Sequence, residues 1–116
     1  MKTKIRVAQV RAVPEKGNLA GNFSALMSIL QRLQGEEFDV VVTPECFLDG
    51  YIVTEQSVLA ADLGQYAIDP HNSPYVERLS AWAREQAAWV VFGCTRLAPE
   101  GAYNTALLID RSGELV

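Results

Sequence analysis

The sequence predicts an α/β protein built on a mixed sheet, and three observations carry that prediction. Short apolar runs alternate with longer stretches whose apolar residues recur at helical spacing. The run Val40-Val41-Val42-Thr43 is almost unbroken in its apolarity, as in a strand buried on both faces inside a parallel sheet. The last two apolar runs flank a tight turn, Pro99-Glu100-Gly101, which pairs them as an antiparallel hairpin or meander.

Taken in order, residues 4–13 alternate at first, with Ile5 and Val7 between basic or polar neighbours, and Pro14 ends the strand. Glu15-Lys16-Gly17-Asn18 is a turn, with Asn18 placed to cap a helix. Leu19, Phe23, Leu26, Met27, Leu30 and Leu33 then form one apolar stripe, and Gly35 closes the helix. Core packing explains the stripe without a cofactor. The second strand, residues 40–43, completes a β-α-β unit, whose crossover is right-handed. Thr54-Glu55-Gln56 leads toward a short helix over residues 59–63 stopped by Gly64, and residues 65–72 read as a loop. Ser73-Pro74 is a strong helix start, a hydroxyl cap followed by proline at the first helical position. Val76, Leu79, Ala83 and Ala87 make that helix's inner stripe, flanked by Tyr75 and Trp82. Residues 89–95 and 103–109 are the third and fourth strands. Asp110-Arg111-Ser112-Gly113 fits a type I turn, and a further strand begins at Glu114.

At 116 residues, the chain suits one domain or part of one. It is 49% hydrophobic and 21% charged, so it reads as globular. A net charge of -4 and a pI near 4.9 disfavour nucleic acid and anionic membranes as partners. No apolar run approaches the roughly 20 residues that span a bilayer, and the opening residues 1–7 lack a signal peptide's apolar core. Two cysteines without a CxxC spacing are too few for a disulfide scaffold, so a reducing cytoplasm is the expected compartment. His71, the sole histidine, sits in a Pro- and Asn-rich loop and reads as solvated; no His/Cys/Asp grouping has metal spacing. Glu36-Glu37 and Asp39 read as a solvated helix exit.

The residue that points to chemistry is Glu45. Pro44 ends the second strand, because proline lacks an N–H for the ladder. The next side chain is a carboxylate, and in open α/β sheets chemistry collects just outside the carboxyl ends of strands. Glu45 is therefore a candidate general base.

The string Pro44-Glu45-Cys46-Phe47-Leu48-Asp49-Gly50-Tyr51 resembles the first signature of the nitrilase superfamily, the carbon–nitrogen hydrolases. Val91-Phe92-Gly93 and Tyr103-Asn104-Thr105-Ala106 follow in the order that family shows. Ala8-Gln9 and Asn22 also fit, and the resemblance covers essentially all of the chain. It implies an α-β-β-α sandwich with a Glu-Lys-Cys triad that attacks amide, nitrile or ureido carbons through a thioester, without cofactor or metal. On that resemblance Glu45 is the base, and the intact protein is a homo-oligomer acting on a small amide or nitrile; Tyr51 either lines the substrate pocket beside Glu45 or serves packing. A base is needed because a thiol is a poor nucleophile until its proton is removed. A carboxylate does this near neutral pH when desolvation raises its pKa, and Phe47 is a suitable neighbour. Asn104 either braces the site or serves the edge strand.

The pattern departs from the family at one point. The lysines are Lys2, Lys4 and Lys16, all ahead of Glu45, whereas the family's lysine and nucleophilic cysteine fall beyond Val116. Cys94 lies within a strand. Cys46 adjoins Glu45, and on an extended backbone adjacent side chains diverge. Residues 1–116 are thus expected to be the N-terminal part of a single hydrolase domain, inactive alone. The competing expectations are a truncated module that self-associates through open edges and, more weakly, a flavodoxin-like binding domain.

Overall fold

The computed structural model describes residues 3–116; Met1 and Lys2, the start of the basic opening, lie outside the described residues. Four strands form one sheet in the order β1-β2-β3-β4, where β1 is Val7–Gln9, β2 is Val40–Val42, β3 is Trp89–Ala98 and β4 is Gly101–Ile109. β1, β2 and β3 run parallel and β4 returns antiparallel along β3, as the sequence predicts. Helices α1 (Leu19–Arg32) and α2 (Pro74–Gln86) are the two crossovers. Successive right-handed crossovers in one direction put both helices on the same face.

That face holds the core. Val41, Val90, Phe92, Leu107 and Ile109 meet Leu26 and Leu30 of α1 and Val76, Leu79, Trp82 and Ala83 of α2. Phe23 and Tyr75 join the two helices, their ring centroids 4.9 Å apart. Both helix starts follow the sequence: the Asn18 side chain accepts from Gly21 N, and the Ser73 side chain from Val76 N with proline next. The α2 stripe ends one residue earlier than expected. Ala87 adopts φ 51°, leaves the helix and is exposed, while Ala88 takes the buried place. Trp82 is buried in the stripe and stacks on Phe38 rather than flanking it.

The opposite face is open. Val7, Val40 and Trp89 share one register row, and Gln9, Val42 and Val91 the next. Val7 is 57% exposed, Ile5 71% and Leu108 37%, and Val40 and Val42 are only half-buried. β2 is therefore fully buried on the helix-covered face alone, through Val41, and not on both faces as expected. Among the described residues no helix covers that side.

Three other segments differ from expectation. β1 is shorter than residues 4–13, because its only neighbour, β2, offers three ladder residues before Pro44. Thr54 closes a 3-10 turn, Ile52–Thr54, and the next 3-10 helix, Ala60–Tyr66, passes through Gly64 rather than stopping there. Within the expected loop 65–72, Ile68 makes a parallel bridge to Arg96 and Pro70–Asn72 forms a 3-10 turn. The closing turn is as predicted: Gly113 N donates to Asp110 O at 2.9 Å, and Leu115 bridges Ile109.

Candidate functional site

The loop after β2 lies across the middle of β3. Thr43 N donates to Val91 O at 3.0 Å, Gly93 N to Thr43 Oγ1 at 2.8 Å, and Leu48 N to Gly93 O at 3.1 Å. A Cβ at Gly93 would stand 2.2 Å from Pro44 O and 2.8 Å from Cys46 N. Only glycine permits this approach of two backbones, which gives the Val91-Phe92-Gly93 string a physical reason that its pattern alone does not supply.

Asp49 anchors the loop. It is fully buried and accepts from Ile52 N, Thr95 N and Thr95 Oγ1 at 3.0–3.1 Å. A buried carboxylate is tolerable only with such partners. Asn22, buried on α1, receives Glu15 N and donates to Glu15 O and Leu48 O, tying the first helix to the same loop. Lys16 Nζ donates to Tyr51 O at 3.1 Å and to Thr54 Oγ1. Gly50, at φ 70°, passes so close to Glu15 O that a Cβ would come within 2.6 Å. Sequence reading missed the roles of Asp49, Thr95, Asn22 and Lys16. A polar Asn at a core-facing position of the α1 stripe was the one available signal.

Glu45, just past Pro44, is exposed at the rim of the open sheet face. It is not desolvated by Phe47, which turns into the core, 1% exposed. Asn104 on β4 donates through Nδ2 to Glu45 Oε1 at 2.5 Å, and the Tyr51 phenol also faces this carboxylate. Cys46 Sγ donates to Asn104 Oδ1 at 3.2 Å. The expectation that neighbours 45 and 46 diverge fails, because the backbone at Cys46 is left-handed, φ 49°, rather than extended. Asn104 thus braces this site instead of serving only the edge strand.

Tyr51, also left-handed at φ 58°, is half-buried beside the acid. The Glu45 carboxylate, foremost, pushes its phenol above the ordinary value. Burial, reinforced by Asp49, pushes the Cys46 thiol up from 9.0 to about 11 and the Cys94 thiol up to about 12. Both cysteines are free and buried. Such thiols keep their protons and are poor nucleophiles. His71 is exposed, far along the chain in its 3-10 turn, with its backbone N–H on Asp69. Glu36 and Glu37 are exposed, Glu37 pairing with Arg6, whereas Asp39 accepts from Arg6 N at 2.8 Å just before β2. Among the described residues, no group of three His, Cys, Asp or Glu side chains is arranged to hold a metal, and no helix is long and apolar enough to cross a membrane.

Comparison with known proteins adds three likenesses. The chain is 31% identical over 119 residues to an aliphatic nitrilase of Rhodococcus rhodochrous, spanning 96% of this chain and 32% of that protein. Its fold superposes on a crystal structure of an N-terminal amidase with a TM-score of 0.80 at 20% identity, covering 97% of this chain and 26% of that one. It superposes on an amidase from Nesterenkonia sp. with a TM-score of 0.67 at 22% identity, covering 97% and 40%. The chain spans about a third of the length of the curated relatives it matches. The carbon–nitrogen hydrolase profile matches residues 4–116. By that match over nearly its whole length, the chain belongs to the carbon–nitrogen hydrolase family, the nitrilase superfamily.

Proposed function

We propose that Glu45 is the general base of a Glu-Lys-Cys triad whose lysine and cysteine lie outside these 116 residues. Residues 1–116 are then the N-terminal part of one hydrolase domain, and the whole protein cleaves a non-peptide C–N bond in a small amide, nitrile or ureido compound. The carrying observation is the position of Glu45: exposed at the carboxyl end of β2, on the open face, and held by Asn104. In this reading Glu45 takes the proton of the nucleophilic thiol. The thiolate adds to the substrate carbon, an amide or ureido nitrogen leaves with the proton from Glu45 as the thioester forms, and water discharges the thioester and returns a proton to the thiol. Tyr51, beside the acid, lines the substrate pocket.

A net charge of -4 supports a small-molecule partner over nucleic acid or an anionic membrane, and two free thiols support a reducing cytoplasm. The test is mass spectrometry of the protein extended past Val116. With an amide substrate it should accumulate an acyl adduct on a cysteine, and Glu45→Gln should abolish that adduct. An adduct of undiminished yield in the Glu45→Gln protein refutes the assignment. The 116-residue chain should show no turnover.

The open apolar face favours a second reading, in which the isolated chain is an inactive module that self-associates. Homo-oligomerisation of the whole protein is part of the first reading and is measured separately. Sedimentation of the 116-residue chain decides the second: a concentration-dependent rise in mass supports it, and a monomer across the range rejects it.

A further inference from the structure

Cys46 is a buried thiol that the triad chemistry does not use, yet it joins Glu45's loop to β4. Its Sγ points at Asn104 Oδ1, 3.2 Å away, and the other end of the same amide reaches Glu45 Oε1 at 2.5 Å. The left-handed backbone at Cys46 makes this convergence possible, and Gly93 leaves room for it beneath Cys46 N. The two ends of the asparagine amide differ: one only accepts and the other only donates. A thiol that holds its proton is a donor, and a carboxylate is an acceptor. Each therefore meets the end of Asn104 that suits it, and the reversed amide would set oxygen against carboxylate.

We propose that Cys46 and Asn104 are positioning residues for Glu45: the thiol fixes the orientation of the Asn104 amide, and the amide occupies Oε1, so that a proton arriving at Glu45 goes to Oε2. The inference rests on Glu45 being the base. The thiol matters most once Glu45 is protonated, because the carboxyl group then no longer dictates which way the amide faces. The thiol still does, and it keeps the NH2 end toward Oε1. The burial that holds the thiol protonated keeps it a donor across the neutral range.

The experiment is 1H–15N spectroscopy of the Asn104 side-chain amide in the 116-residue chain, over the carboxylate range of about pH 3 to 6. In the unsubstituted chain the two amide protons should be well separated, slow to exchange, and shifted as Glu45 ionises. Glu45→Gln should remove that pH response. Cys46→Ser, which keeps a donor, should preserve the separated pair. Cys46→Ala should move the pair toward free-amide positions with several-fold faster exchange at low pH. An Asn104 pair that ignores pH in the unsubstituted chain overturns the proposal, and so does a Cys46→Ala spectrum that coincides with it. Should Cys46→Ala fail to fold, the unsubstituted titration and the serine variant still decide. No substrate enters this measurement, so a relay seen here beside an acyl adduct in the extended Glu45→Gln protein would refute the base and leave the contact standing.

Discussion

The loop that follows β2 carries two acids four residues apart, and they live in opposite environments. Asp49 has no solvent exposure and satisfies three donors from two neighbouring segments. Glu45 is exposed and held by the Asn104 side chain, with the Tyr51 phenol facing the same carboxylate. The inner acid closes the fold, while the outer one stands where a substrate can reach. One loop thus separates holding from acting, and Gly93 beneath it lets both ends sit where they do.

Removing the inner acid should have the largest effect. Asp49→Ala orphans two buried backbone N–H groups and a hydroxyl, at roughly 1–3 kcal/mol each. Urea unfolding should show a loss of about 3–5 kcal/mol, and a loss below about 1 kcal/mol would mean that the loop is held by something else. Next comes the floor of the loop. Gly93→Ala places a methyl 2.2 Å from Pro44 O, so backbone must shift, at about 1–3 kcal/mol. The same substitution should also disturb the amide signals of Cys46 and Leu48. Undisturbed signals would show that the loop does not rest there.

A third effect belongs to pH. The folded chain holds the Cys46 thiol above its ordinary 9.0, at about 11, and Cys94 at about 12. These acids prefer the protonated form when folded, so the unfolded chain releases protons first as pH rises. Stability should be undiminished below pH 9 and fall steadily as pH rises toward 11. The double substitution to serine should flatten that decline, and an unchanged alkaline slope would count against burial as its cause.

The two sides of this comparison were not equally legible in the sequence. Pro44 and the apolar run before it placed Glu45 at a strand's carboxyl end, and the observed β2 ends there. Periodicity likewise gave α1 and α2, because burial against one sheet face imposes a regular spacing, and the Pro99-Glu100-Gly101 turn gave the final hairpin. The inner half was not readable. Asp49 looks like a turn residue in the sequence, and its partner Thr95 is reached only after the chain folds over β3. The bend at Cys46 was hidden for the same reason: its left-handed backbone is imposed by contacts with Gly93 and Asn104 rather than by its own preference. The open sheet face was misread as covered because an apolar strand looks the same whether or not something lies against it.

The division between the two acids is tested most directly by urea unfolding of Glu45→Gln. A residue placed for chemistry rather than for folding should leave stability within about 0.5 kcal/mol of the unsubstituted chain. A loss of about 2 kcal/mol or more would make Glu45 a structural acid like Asp49 and contradict the account.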